Sequence, residues 1–232
     1  MLFRSSVAVS GSNVLVGGSF TTYKGVACPY VVSLSSNGTR ITEFNQSGTG
    51  PNSSVYKIVP SRLSNQVYIF GLFTTYNGTA TPGGIARLNA DGTLDTSFAL
   101  STIYGSSYYS GMTFTSITEA DNGDLHVTGE RAANYTSGFP NPGNAPYMVL
   151  SSTGAVKKFI GLTAFYGSFA FNGSLGKAIL TPDGRVIIPS GSQIATGSDS
   201  RSGNYLYCPL ISNDKPVRMV DPTYTFPLSD FL

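Results

Sequence analysis

Val14-Leu-Val-Gly-Gly-Ser-Phe-Thr-Thr-Tyr-Lys-Gly25 and Val67-Tyr-Ile-Phe-Gly-Leu-Phe-Thr-Thr-Tyr-Asn-Gly78 say nearly the same thing twice. Each stretch is followed by apolar residues, then Asn37-Gly38-Thr39 or Asp91-Gly92-Thr93, then a phenylalanine, Phe44 or Phe98. A long period that carries strand-like runs and tight turns marks a repeated β-unit. Gly17 is matched to Gly71, Leu34 to Leu88 and Phe44 to Phe98, each at a spacing of 54.

Two fainter copies follow. Leu125-His-Val-Thr-Gly129, Tyr147-Met-Val-Leu150, the Thr153-Gly154 turn and Phe159 form a third; its spacings from the second are 58 at the glycine and 62 at the leucine. Asp183-Gly184-Arg-Val-Ile-Ile188, Tyr205 to Ile211 and Asn213-Asp214 form a fourth, with 61 from Leu150 to Ile211. The spacing grows between the hairpin turns, where loops lengthen without breaking strands.

In the second copy, strands are expected at Val55–Val59, Val67–Phe70 and Gly84–Leu88, then a tight Asp-Gly turn and a run ending on Phe98. Val, Ile, Tyr and Phe suit a pleated surface. Asn-Gly and Asp-Gly between apolar runs favour two-residue hairpin turns, which need positive φ at both central positions. No stretch keeps a helical period for more than about two turns. The expected fold is all-β, a propeller-like array of about four repeated antiparallel sheets in a single domain over 1–232. The repeats are placed at approximately 5–54, 55–114, 115–173 and 174–220, with a tail at 221–232 that is apolar enough to dock on the body or on a partner.

Composition narrows the function. A chain of 232 residues buries a core without staples. Charged residues are 11% of it, against about 25% in a typical soluble domain. A net charge of +2 gives no basic field for nucleic acid and no acidic one for cations. Mean hydropathy is +0.04, and no apolar run reaches the roughly 20 residues of a spanning helix. The start, Met-Leu-Phe-Arg-Ser-Ser, lacks the charged-then-apolar pattern of a signal peptide, so assembly in the cytoplasm is expected.

Gly84-Ile-Ala-Arg-Leu-Asn-Ala-Asp-Gly-Thr-Leu-Asp-Thr-Ser-Phe98, with Val67-Tyr-Ile-Phe-Gly-Leu-Phe73 before it, resembles the delta-60 repeat. That family implies propeller-like repeats of bacterial surface proteins and phage virion proteins. It transfers a fold and no catalytic residues. With the composition, it implies a structural virion protein of a bacteriophage, in the tail, tail fibre or head–tail region, that contacts other virion proteins and copies of itself. Neither nucleic acid nor membrane is an expected partner, and no cofactor is expected. The alternative is a carbohydrate- or receptor-binding surface module, with host-surface carbohydrate as ligand. A glycosidase-like propeller enzyme comes third.

Candidate contact residues are aromatic. Tyr104, Tyr108 and Tyr109 cluster with Phe114 in a Gly/Ser-rich insertion, where they would either meet a partner or pack between repeats. Phe139 lies in the Pro/Gly-rich segment 132–146, and Phe226 and Phe231 lie in the tail. No catalytic or metal site is expected. His126, the one histidine, reads as an ordinary strand residue, since no Gly-x-Ser-x-Gly elbow accompanies it. Cys28 and Cys208 stand in the first and last repeats, where a ring-closing disulfide is conceivable, but a cytoplasmic setting favours free, buried thiols. Asp91, Asp95, Asp121 and Asp124 read as turn chemistry rather than a calcium loop.

Overall fold

Short alternating apolar runs, cut by glycine turns, set the strands. The computed structural model describes residues 6–100, 112–131, 146–161, 170–172, 177–180, 186–190, 193–196, 199–201 and 205–207. The first sheet is antiparallel and contains β1 (Ser6–Ser10), β2 (Asn13–Gly17) and, after a small hairpin of β3 (Thr22–Tyr23) and β4 (Val26–Ala27), β5 (Val31–Leu34). The second repeats this plan: β6 (Val55–Pro60), β7 (Val67–Gly71), the hairpin of β8 (Thr75–Tyr76) and β9 (Thr79–Ala80), then β10 (Ile85–Leu88).

The third sheet has four strands in chain order, β11 (Met112–Glu119), β12 (Leu125–Arg131), β13 (Pro146–Leu150) and β14 (Val156–Gly161). In the first two sheets the fourth strand shrinks to single bridges, Leu34 to Arg40 and Leu88 to Leu94. Further on, β15 (Ala170–Asn172) precedes β16 (Ile179–Leu180) and β17 (Val186–Ser190). The hairpin of β18 (Gln193–Thr196) and β19 (Asp199–Arg201) follows, then β20 (Tyr205–Tyr207). Strands β16, β17 and β20 pair in the order of the first sheet, and β15 pairs with the inserted hairpin. The chain is all-β and propeller-like. The leading strands β1, β6 and β11 gather round a cavity of about 500 Å³ lined by Val7, Val9, Lys57, Ile58, Ser116 and Lys177, as inner strands do around a propeller channel.

The turns correct one expectation. At Asp91-Gly92 only Gly92 has positive φ, +81°, and Gly92 N–H donates to Asn89 O while Asn89 N–H donates to Thr93 O. That is a three-residue loop ending on a left-handed glycine, not a two-residue turn. Gly38, Gly123 and Gly154 repeat it. The two-residue turns with both φ positive sit instead in the small hairpins, at Lys24-Gly25 and Asn77-Gly78. Sequence pattern had identified the right chemistry and placed it at the wrong turn.

Register corrects another. Leu34 pairs with Val14 and Leu88 pairs with Val67. The second strands therefore correspond at a spacing of 53 and the third strands at 54. Gly18, not Gly17, is the counterpart of Gly71, and the extra residue lies in the connection before β10. The offset decides which face each side chain takes, because a slip of one residue inverts a strand.

With that register, β7 is buried on both faces. Val67 and Ile69 point back to the first sheet and pack with Leu15, Val31, Phe73 and Tyr76. Tyr68 and Phe70 point forward and pack with Ile85, Phe98, Phe114, Leu125, Val127 and Met148. Each sheet thus lays an apolar face on its neighbour.

A backbone latch closes each of these two junctions. Asn45 N–H, just after the closing Phe44, donates to Asp91 O, and Ala99 N–H, just after Phe98, donates to Thr153 O. The turn glycine of the following sheet lies against this latch. A Cβ on Gly92 would come within 2.8 Å of Asn45 N and of the Phe44 ring, and one on Gly154 would strike Ala99 O. Gly25 has equally positive φ with nothing within 4 Å. Asparagine tolerates this conformation, so it separates crowding from backbone strain. Gly92→Asn is expected to cost about 2 kcal/mol or more and Gly25→Asn less than about 1 kcal/mol, read as urea unfolding midpoints of the two variants.

Candidate functional site

Charged side chains gather at the junctions between sheets. Glu119, at the end of β11, receives Ser61 Oγ–H at 2.9 Å, Arg62 N–H at 2.6 Å and Leu63 N–H at 3.3 Å from the β6–β7 turn, and Tyr68 Oη–H at 3.3 Å. Arg62 adds an exposed ion pair with Asp121. Burial is the main cause that pushes the Tyr68 hydroxyl up to about 12, so it stays a donor. These groups stand beside a cleft of about 590 Å³ lined by Val59, Ile117, Lys177 and Ala178 as well.

Arg87 forms the second cluster. Its Nε–H donates to Asp95 at 2.7 Å, its Nη1–H to Ser152 O at 2.7 Å, and its guanidinium lies 5.2 Å from the Phe98 ring centroid. Gln66 also donates to Asp95, at 2.6 Å. Burial pushes the Asp95 carboxyl up, but Ser97 N–H and Oγ–H together with Arg87 outweigh it and hold it down to about 2. Asp91 accepts from Thr93 N–H and hydroxyl in the same fashion. Both aspartates act as turn chemistry.

Ser33 holds the place of Arg87 in the first sheet. Its hydroxyl is buried with no partner among the described residues, and it lines a cavity of about 230 Å³ together with Phe44, Asn89 and Ala90. The first junction has an open pocket where the second has an ion pair. Instead, Asn45 and Asn77 exchange amide hydrogen bonds across it, at 2.8 and 3.2 Å.

His126 is buried, with Nδ1 2.6 Å from Tyr147 Oη. Burial lowers its pKa, partly offset by Asp124, so the ring is neutral near pH 7. The strand reading of His126 matches this placement. Phe114 packs between the second and third sheets, 6.5 Å from the Phe70 ring. Tyr104, Tyr108, Tyr109, Phe139, Phe226 and Phe231 lie outside the described residues, as does Cys208. Cys28 is buried with a free thiol.

One surface was not anticipated. In the second sheet Ile58, Val67, Ile69, Phe73, Tyr76 and Leu88 face backward and are all buried by the first sheet. Their register counterparts in the first sheet are Val7, Val14, Val16, Phe20, Tyr23 and Leu34. All but Val7 gather around Cys28 and Val32, with Cys28, Val32 and Leu34 buried and Val14, Val16, Phe20 and Tyr23 partly buried. Val7 and Val9 are each 66% exposed, where Ile58 is 3%. The signal was present in the alternation of Val7, Val9, Val14 and Val16, and reading it required the register.

A family model described as a domain of unknown function (DUF5122), β-propeller, matches residues 13–40 and 64–98. These run from β2 through the first glycine loop and from β7 to Phe98. No curated protein matches the chain. Among solved structures, the extracellular domain assigned to a hybrid two-component system of B. thetaiotaomicron is 14% identical, with 94% of this chain and 22% of that one covered, at a TM-score of 0.45. A protein of unknown function from Bacteroides caccae is 12% identical, covering 86% and 58%, at 0.41. One from Dyadobacter fermentans is 11% identical, covering 83% and 60%, at 0.42. The chain spans less than two thirds of each.

Two outcomes check the junction chemistry. Glu119→Ala is expected to cost about 1 kcal/mol, because it removes the acceptor of the buried Tyr68 hydroxyl and of the part-buried Ser61 hydroxyl. Asp121→Ala, on an exposed pair, is expected to leave the unfolding midpoint unchanged. The stability linked to Asp95, about 1–2 kcal/mol, is full above its unfolded value of 3.8 and lost as pH falls through about 2. Asp95→Asn is expected to remove that slope from an acid-unfolding series.

Proposed function

We propose that this chain is a non-catalytic assembly protein that acts through protein–protein contacts, and that its setting is a bacteriophage virion, in the tail, tail fibre or head–tail region. The observation that carries the reading is the apolar backward face of the first sheet, whose counterparts in the second sheet are buried against a neighbour. On that face Val7 and Val9 are exposed and Val14, Val16, Phe20 and Tyr23 partly buried, and apolar surface left uncovered in this way suits a protein interface. The charged groups of the best-formed clusters, Glu119, Arg87 and Asp95, are spent on joining sheets, which favours a structural role over chemistry. The finer family reading, the delta-60 repeat, accords with the position of the family match, since residues 13–40 and 64–98 include much of the stretch that carries that resemblance. Other virion proteins and copies of the chain are the partners this reading requires.

Fractionation tests the setting. Lysates of the cells that produce the protein are separated into particles, envelope and soluble fractions, and the chain is traced by mass spectrometry. Recovery with nuclease- and protease-treated particles is the expected result. Recovery in the cell envelope alone would overturn the virion setting in favour of a surface module.

A further inference from the structure

Register equivalence between the two junctions shows what fits the pocket at the first. At the second junction the Arg87 guanidinium lies 5.2 Å from the Phe98 ring centroid, and its Nη1–H donates to Ser152 O at 2.7 Å. Three register marks fix the corresponding point at the first junction. Ser33 pairs with Leu15 as Arg87 pairs with Tyr68. Ile41 N–H donates to Ser33 O as Asp95 N–H donates to Arg87 O. Phe44 precedes the latch to Asp91 O as Phe98 precedes the latch to Thr153 O, so Ala90 O corresponds to Ser152 O.

Ser33, Phe44 and Ala90 all line the pocket of about 230 Å³. The ring and the carbonyl that Arg87 uses are thus repeated, while a serine stands where the arginine would. Among the described residues the buried Ser33 hydroxyl has no partner, and Ala90 O accepts no hydrogen bond. A buried hydroxyl left unpaired is costly, so a donor that reaches it is favoured. Asn13, at the register position of Gln66, and Asn89 add amide groups to the lining. The volume is below the roughly 300–1,000 Å³ of sites for drug-sized ligands and suits a single head group. A guanidinium is flat, weakly hydrated and carries donors along its edge, so it can stack on a ring and reach a carbonyl at once; an ammonium does not combine the two.

We infer that this pocket receives the guanidinium of an arginine side chain carried by a partner protein, stacked on Phe44 with its N–H groups on Ala90 O and Ser33 Oγ. The choice of a protein-borne arginine rests on the assembly reading above. It is favoured by the lining, which has no charged residue to hold the α-ammonium or α-carboxylate of free arginine. Asp95 has no counterpart carboxylate, since Ile41 stands at its place. Glu43 stands at the place of Ser97, which accepts from Arg87 Nη2 at 3.1 Å. Glu43 is exposed, so the occupant is held more weakly than Arg87 and exchanges.

Titration of the full chain with N-acetyl-L-arginine amide, followed by amide chemical shifts in NMR, tests this. Shifts centred on Ser33, Phe44 and Ala90 are expected, with a dissociation constant of about 1 mM. N-acetyl-L-lysine amide is expected to bind at least about fivefold more weakly. Ser33→Arg supplies the guanidinium from within the chain and is expected to weaken the probe at least about tenfold. Phe44→Leu keeps apolar volume but removes the ring face, and is expected to weaken it about threefold; it serves if circular dichroism shows that Ser33→Arg does not fold. Shifts centred elsewhere, equal binding of the lysine amide, or affinity indifferent to the folded variants would overturn the inference. Free arginine binding tenfold tighter than the blocked amide, about 1.4 kcal/mol, would overturn the protein-borne source and assign the pocket to a free guanidinium compound. These outcomes read the pocket alone, and recovery with particles decides the assembly reading separately.

Discussion

Strand β7 is buried on both faces, and the rest of the described array is arranged around that fact. A strand with one wet face tolerates polar residues at every second position; one between two sheets does not. Val67, Tyr68, Ile69 and Phe70 are accordingly all apolar or aromatic, and the one polar atom among their side chains, Tyr68 Oη, is satisfied by Glu119. Full burial of such side chains contributes roughly 1.5–3 kcal/mol each, non-directionally. Direction comes from elsewhere. Latch bonds from Asn45 and Ala99, and glycines too crowded to be replaced, fix how far one sheet sits from the next.

The latches use main-chain atoms, so they survive divergence of side chains. The third repeat lacks the Asp-Gly-Thr wording of the second, yet Ser151, Thr153 and Gly154 adopt its loop and accept its latch. What the repeats share is a turn shape, one glycine and a spacing. Side-chain joints are private to each junction: an amide pair at Asn45 and Asn77, an ion pair at Arg87 and Asp95, a carboxylate cap at Glu119. A neutral, low-charge chain can be held together this way because few ions need be buried and each one is fully partnered.

Fold class was legible because strand periodicity and turn residues recur together; Val67 to Phe98 alone carried nearly all of it. The inserted hairpin at Asn77-Gly78 was not read, since two-residue strands leave no periodic signal. The one-residue slip between Gly17 and Gly18 was hidden as well, because a gap in a glycine-rich connection changes no local pattern. Yet that slip decides which of Val14 and Leu15 faces outward. The backward face of the first sheet followed only once pairing had been seen. The expected aromatic contacts were chosen for exposure in loops, a criterion blind to faces that repeat symmetry leaves uncovered. The phage setting, read from composition and from the resemblance of the repeat, has no counterpart in local geometry.

The pocket beside Ser33 marks a chemical asymmetry between the two junctions. Second and third sheets are riveted by a guanidinium that touches a carboxylate, a carbonyl and a ring. First and second sheets meet beside an open pocket of about 230 Å³ lined by Ser10, Ser33, Phe44 and Asn89. The first junction is joined instead by the uncharged Asn45–Asn77 amide pair. Acid that neutralises Asp95 therefore loosens one joint of the array and leaves the other as it was.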